Sequence, residues 1–390
     1  MASLLNDKKT SSILIIAGEA SGDTRGAELI SVLQESRTDL RFWGIGGDLM
    51  AKSGMRLVRH AHEMAFLGFF EVIRHIPFIR KVFKEMSDLL DSECPDLVIL
   101  IDYPGFNLRF AKQAKKRDIP VVYYISPQIW AWGRNRIHKI RRTVDHMIVL
   151  FPFEEAFYRE AGVPVTFVGH PLKETFQVKL SKPEYMKSFG LDPKQKILAL
   201  LPGSRKQEVK RLLPVMIRTC KLLRQAFPDL QFVLCQSPTL EQAFYASLLK
   251  EDQNIQMIEG RTPETLAYSD AAIVASGTAT LEAALAGTPM VVLYKMAPMS
   301  YWLARMLVRV SHIGLVNIVA GREIVPELIQ DDAQAERIEE IIKSYFAHPD
   351  KAEGVRKKLL QVSVKLGESG AAKRAAKVIL RELDKTGSES

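Results

Sequence analysis

Cysteine is scarce in this chain: 390 residues hold three, Cys94, Cys220 and Cys235. An odd count with no metal or redox spacing excludes a disulfide scaffold and points to free thiols in a reducing compartment. No Asp-x-Asp motif and no spaced His/Cys ligand set occurs, so neither a metal nor a cofactor is expected. No uncharged apolar run reaches the roughly 18 residues that a membrane-spanning helix needs. The opening twelve residues are polar and lack an apolar stretch after their lysines, so they do not read as a secretory signal. Paired zinc ligands and aromatic RNA-binding signatures are missing too, which argues against nucleic acid as a partner.

What is there reads as a folded protein of two domains. The chain is 47% hydrophobic and 25% charged, and a domain takes about 100–200 residues. The formal net charge is +9, which attracts anions such as phosphorylated substrates or anionic lipid. The expected location is cytoplasmic, or peripheral on a cytosolic membrane face.

Short apolar runs alternate with helical patterns. Strands are expected at 12–17 (SILIIA), 97–101, 121–125, 147–150 and 165–168. Helices are expected at 26–35, 79–91 and 108–117. Continuous β-branched runs with helices between them predict parallel strands covered on both faces, an α/β doubly wound domain. After a polar connection at 173–194 the series restarts with strands at 197–201, 231–235, 255–258, 271–275 and 290–294. The expected division is 1–175, 190–345 and a helical tail at 346–390, whose packing back onto the first domain stays open. Two such domains in tandem predict a cleft, with ligands beyond the carboxyl ends of the strands.

Several motifs fall at those strand ends. GEASGD at 18–23 has glycines for tight geometry, Glu19 facing the ligand side, and Ser21 or Asp23 as caps for the next helix. A plain strand-to-helix turn explains the spacing equally well. Asp102, before Tyr103-Pro104-Gly105, suits a general base or a turn cap. LPGSR at 201–205 sets Gly203, Ser204 and Arg205 at a helix start, a combination that favours a diphosphate. SGTATLE at 276–282 brings Ser276, Gly277, Thr278 and Thr280 to a second helix entrance, and Glu282 to within reach of ribose hydroxyls. Trp130 and Trp132 lie beside Arg134, Arg136, Lys139, Arg141 and Arg142, as for an amphiphilic anion or a headgroup layer; a solvated basic helix with the tryptophans in the core explains them equally well. His170, before Pro171, is a ligand-facing or a structural histidine. Two segments, 66–84 and 299–310, mix Phe, Ile and Leu with Arg and Lys, as an interfacial helix would, although burial in the core accounts for each equally well.

In order along residues 13–330, these motifs resemble the lipid-A-disaccharide synthase family. The matches are GEASGD, Asp102 followed by Phe106-Asn107, SPQIWAW at 126–132, FPFEEAFY at 151–158 and GHP at 169–171. LPGSR, SGTATLE and the stretch NIVAGREIVPELIQ from Asn317 complete them. The resemblance implies the GT-B architecture of two Rossmann-like domains. It implies inverting, metal-free transfer of 2,3-diacylglucosamine from UDP-2,3-diacylglucosamine to 2,3-diacylglucosamine 1-phosphate, giving a β-1,6 disaccharide phosphate and UDP. By position it assigns Asp102 as the base and Glu19 as an acceptor-side acid. It assigns Ser204 and Arg205 to the diphosphate, Glu282 to the ribose, Ser276 to Thr280 to the helix entrance, and Asn317 and Arg322 to the nucleotide. Ser21, Trp130, Trp132 and His170 are the acceptor or lipid candidates. The expected partners are the two sugar lipids and an anionic membrane surface on the inner-membrane cytoplasmic face; a homodimer stays open. The rival readings are another UDP-sugar enzyme, such as a 2-epimerase or a soluble-sugar transferase, and a non-catalytic binder of anionic membranes.

Overall fold

The computed structural model describes residues 10–64, 75–249, 254–297, 301 and 311–387. Of the two apolar-basic segments, 66–74 and all of 299–310 except Tyr301 lie outside the described residues. The chain forms two compact units. One is the chain up to Pro171 together with the stretch from Glu368 onward; the other is Leu172–Gly367.

The first unit is built on seven strands: β1 (Ser11–Ala17), β2 (Leu40–Gly46), β3 (Arg56–His60), β4 (Leu97–Ile101), β5 (Val121–Tyr124), β6 (His146–Val149) and β7 (Val165–Phe167). Their order is β3-β2-β1-β4-β5-β6-β7, and neighbours pair in parallel. Side chains alternate across a strand, and here both faces are dry. Ile13, Ile15 and Ala17 pack with Leu29, Ile30 and Leu33 of the helix Ala20–Ser36 and with Ala375, Ile379 and Leu383 of the C-terminal helix Ala371–Gly387. Leu14 and Ile16 face the opposite way, onto Val82, Met86, Phe106, Phe110, Ile140 and Tyr158. Burial on both faces is why β1 and β4 are unbroken apolar runs in the sequence.

The second unit repeats the plan with β8 (Ile197–Leu201), β9 (Gln231–Gln236), β10 (Ile255–Glu259), β11 (Ala271–Ala275), β12 (Met290–Tyr294) and β13 (Glu327–Ile329), ordered β10-β9-β8-β11-β12-β13. The polar connection that precedes β8 is part of this core. Its helix Lys182–Ser188 is opened by a capping box between Ser181 and Glu184, and Tyr185, Met186 and Leu191 pack on Ile197, Val233 and Ile258. The helix Pro349–Lys365 also belongs to this unit; the chain returns to the first unit only at Glu368.

Three strands escape the sequence reading: β2, β3 and β13. β2 carries a glycine mid-strand, where the register with β3 shifts between Gly44 and Ile45. Gly44 has φ +140, and a Cβ there would stand 2.1 Å from the carbonyl oxygen of Ile15. The glycine that hides this strand is what lets it lie against β1. β3 is a half-exposed edge strand and β13 has three residues. We expect Gly44→Ala to cost more than about 3 kcal/mol by forcing backbone apart at a left-handed position. Urea unfolding of the two proteins measures it, and a loss below about 1 kcal/mol would show that the strand relaxes.

Candidate active-site loops

In the first unit the strand order reverses between β1 and β4, and the turns after both strands carry predicted site residues. After β4 two successive non-glycine residues take left-handed backbone, Asp102 (φ 45) and Tyr103 (φ 47), at roughly 1–2 kcal/mol each. Local bonds hold this turn. The Asp102 carbonyl accepts from Asn107 Nδ2 at 2.8 Å and from the Tyr123 hydroxyl. Asn107 also donates to the Ile101 carbonyl at 3.1 Å, and the Tyr103 hydroxyl donates to Met64 O at 3.1 Å. The Tyr103 ring lies on Gly18 so closely that a Cβ on Gly18 would come within 2.5 Å of it. The first glycine of GEASGD therefore admits the tyrosine that follows Asp102.

The Asp102 carboxyl is pushed up to about 6, first by burial and then by the neighbouring negative charge of Glu19, against a backbone N–H bond that lowers it. Glu19 and Ser21 are exposed at the start of the helix Ala20–Ser36. Asp23 does not cap that helix. Its buried carboxylate accepts from the N–H groups of Gly47, Leu49 and Met50 at 2.8, 3.1 and 3.0 Å, capping the short helix Asp48–Lys52 instead.

The aromatic pair of SPQIWAW separates. Trp130 is buried, with its indole N–H on Glu154 Oε1 at 3.1 Å. Burial pushes Glu154 up to about 7 even though Trp130 and the Phe151 N–H both donate to it. Trp132 is 40% exposed, and the Arg136 guanidinium lies 4.4 Å from its ring. His170 packs beside the Phe151 ring at 5.1 Å. Burial, then Arg25, lowers its imidazole to about 4, so it is neutral at physiological pH.

In the second unit a pocket of about 280 Å³ opens at the carboxyl ends of β8, β9 and β11, again where the strand order reverses. Gly203, Ser204 and Glu208 line it from the loop entering the 21-residue helix Lys206–Ala226. Ser276, Gly277, Thr278 and Glu282 line it from the loop entering the helix Ala279–Ala286. Two helix starts thus border one cavity, and the first-turn N–H groups of a helix are the ones that suit an anion. Gly203 (φ +108) and Gly277 (φ +150) take backbone that side chains resist. Burial raises the Glu282 carboxyl, so its ionised form is disfavoured there until hydrogen-bond donors compensate the lost water.

Other predicted residues are engaged elsewhere. Thr280 is buried, donating to Gly277 O at 2.7 Å and accepting from Val316 N at 3.4 Å. The Ser276 hydroxyl donates to Ile313 O at 3.0 Å. Asn317 is buried with its whole amide in use. Nδ2 donates to Val325 O (2.9 Å) and Glu327 Oε1 (2.8 Å), and Oδ1 accepts from Ile324 and Val325 N–H (2.8 and 3.2 Å). These bonds frame the loop between the helix Leu315–Ala320 and β13. Arg322 is exposed and does not line the pocket. Arg205 is exposed at its rim, 3.5 Å from Glu208. The sequence reading missed Cys235, Gln236, Ser237 and Thr262 on the pocket wall; their position at or beyond the end of β9 and at the next helix start was the available signal. Burial pushes the Cys235 thiol up to about 12, keeping it protonated.

Two doubly wound α/β units of this kind on one chain define the GT-B class of glycosyltransferases and related epimerases. Solved structures with this fold include a UDP-GlcNAc 2-epimerase from Neisseria meningitidis bound to UDP-GlcNAc, at TM-score 0.62 and 14% identity, covering 95% of this chain and 100% of that one. They also include a calicheamicin glycosyltransferase at TM-score 0.60 and 18% identity, covering 96% and 99%. A family model described as lipid-A-disaccharide synthetase matches residues 13–381. The chain is 44% identical over 374 residues to the lipid-A-disaccharide synthase of Geobacter sulfurreducens, covering 96% of this chain and 97% of that protein. It is 46% identical over 376 residues to that of Syntrophus aciditrophicus, covering 96% and 98%. The chain belongs to the lipid-A-disaccharide synthase family and is a glycosyltransferase. The epimerase, soluble-sugar and non-catalytic readings are not favoured.

The Asp102 environment yields a stability prediction. Its folded pKa of about 6 lies above the ordinary 3.8, so ionising it at high pH opposes folding. Asp102→Asn removes that charge and tolerates left-handed backbone at least as well. The variant should melt at higher temperature than wild type at pH 8, and the gain should shrink as pH falls through 6 toward 4. Thermal melts across that range check it; equal or lower stability at pH 8 would contradict it.

Proposed function

We propose that each unit carries one half of a direct displacement between two acylated glucosamines. UDP-2,3-diacylglucosamine is the donor and 2,3-diacylglucosamine 1-phosphate the acceptor; the products are the β-1,6 disaccharide 1-phosphate and UDP. The observation that carries this reading is the division of chemistry. One strand end holds a half-buried carboxyl near neutrality, and the pocket of the other unit gathers two helix starts, Ser204 and the carboxyls of Glu208 and Glu282, with Arg205 beside Glu208.

Asp102 removes the proton from the acceptor 6-hydroxyl as that oxygen attacks the anomeric carbon. Glu19 raises the basicity of Asp102 through its charge and orients acceptor hydroxyls together with Ser21. The leaving diphosphate is received by Gly203, Ser204 and Arg205 and by the entrance from Ser276 to Thr278, while Glu282 binds the ribose. Oriented N–H groups that meet charge as it develops lower the barrier. In this reading the helix starts and Arg205 neutralise the charge of the diphosphate.

The reaction takes place at an anionic membrane surface, on the inner-membrane cytoplasmic face. Attachment there is peripheral in this reading; no described helix is long and apolar enough to cross a membrane. Trp132 is exposed under Arg136. The ammonium group of Lys139 is lowered by burial and then by the crowding charges of Arg109, Lys112 and Arg136, a concentration of cations suited to lipid headgroups.

UDP release from the acylated donor, with and without acceptor and in the presence of EDTA, tests the reaction. We expect acceptor-dependent release that EDTA does not slow. Asp102→Asn should lower turnover roughly 100-fold or more; a rate within threefold of wild type would remove its assignment as base. Because the base must be ionised, kcat/KM should fall as pH drops below about 6, and a profile flat to pH 5 would contradict that. Arg205→Ala should weaken donor use through lost charge-assisted bonds; unchanged donor KM and kcat would exclude this role.

A further inference from the structure

One carboxylate in the nucleotide pocket has no place in the scheme above. Glu208 sits in the first turn of the helix Lys206–Ala226 and lines the pocket beside the loop assigned to the diphosphate. Its Oε1 is 3.5 Å from Arg205 Nη1. Its Oε2 lies where it would be 2.6 Å from a Cβ on Gly203, so the carboxylate covers the glycine of the loop. Its charge also reaches the end of β12: the Tyr294 phenol is raised by burial first and by Glu208 next, with Arg205 opposing. The other side of the loop is held by Thr239, whose hydroxyl donates to Ser204 O at 3.0 Å.

We propose that Glu208 is an internal competitor of the product, an anion that occupies Arg205 when the site is empty and weakens UDP more than it weakens the sugar nucleotide. This rests on the nucleotide reading of the pocket. A diphosphate entering the loop must displace Glu208 from Arg205 or lie beside a negative charge. Free UDP is the more heavily charged of the two ligands, because its terminal phosphate ionises a second time near neutral pH. In the sugar ester that oxygen is blocked. Repulsion between like charges grows with the charge on the ligand, so the carboxylate discriminates against the leaving group. As the sugar departs and the second charge develops, Glu208 regains Arg205 and UDP is released. Glu208 is thus a positioning and product-selecting residue, acting through Arg205 rather than on the reacting atoms.

The test is equilibrium binding of UDP, and of its β-methyl ester, which keeps the diphosphate but lacks the second ionisation. Both are titrated calorimetrically into the full-length protein at pH 8 and low salt, for wild type, Glu208→Gln and Glu208→Asp. We expect Glu208→Gln to tighten UDP about fivefold or more, the scale of one partly exposed charge interaction, and the methyl ester less than twofold. Glu208→Asp should keep the wild-type ratio of the two affinities, and added salt should reduce the difference between wild type and Gln. If Glu208→Gln leaves UDP affinity unchanged, or weakens both ligands together, Glu208 merely shapes the loop and the proposal fails. If the wild type binds neither ligand, the nucleotide reading itself falls and takes the proposal with it. If the wild type binds both and the ratio does not move, only the proposal falls.

Discussion

A parallel sheet buried on both faces leaves its strand ends as the place where this chain can expose polar groups. In the first unit that constraint acts through Leu14 and Ile16 on one side and Ile13, Ile15 and Ala17 on the other. With both faces taken by helices, backbone polarity is absorbed within the sheet and the helices. Unpaired N–H groups and acidic side chains collect where a strand turns into a helix. Glu19, Asp102, Ser204, Ser276 and Glu282 all lie in such turns or just inside the helices that follow. Where the strand order reverses, the flanking helices diverge and leave room for a ligand; the pocket of the second unit lies at its reversal, between β8 and β11.

The raised carboxyl at the Asp102 turn comes from desolvation and from Glu19, and surrounding bonds hold the turn in place. Two consecutive left-handed residues and a half-buried acid are each unfavourable alone. The Tyr123 hydroxyl and the Asn107 amide converge on the one carbonyl that fixes the turn, and the Gly18–Tyr103 contact fits it to the neighbouring loop. None of these groups is reactive in its own right, yet each limits where the carboxyl can point. The pocket of the second unit is shaped by glycines instead: Gly203 and Gly277 hold left-handed backbone at its two loops.

Most strands and the class of fold were legible because continuous apolar runs say that both faces are dry. β2, β3 and β13 were not, and for different reasons: a glycine required by a close approach to Ile15, an exposed edge with arginines, and a three-residue length. Motif position along the chain located the loops, but spacing cannot say which atom of a motif is free. Asn317 and Thr280 look like ligand groups in sequence and are consumed by their own loops. Trp130 and Trp132 are two residues apart and fall on opposite sides of the boundary between core and solvent. Asp23, which reads as a cap for its own helix, caps one that follows the next strand. Glu208 drew no attention in the sequence, because nothing in LPGSR predicts that the acid three residues on folds back over its glycine.

The C-terminal helix Ala371–Gly387 covers part of the same sheet face as the helix Ala20–Ser36, through Ala375, Ile379 and Leu383. The first unit is therefore discontinuous, and the second is a continuous insertion within it. On the ribosome, where domains fold as they emerge, the second unit can complete its core before the first. The earliest-made strands must then wait, with one apolar face partly bare, until the last helix has left the exit tunnel. The apolar face that this helix covers, Val122 and Tyr124 of β5 among it, is completed by residues made after the whole second unit.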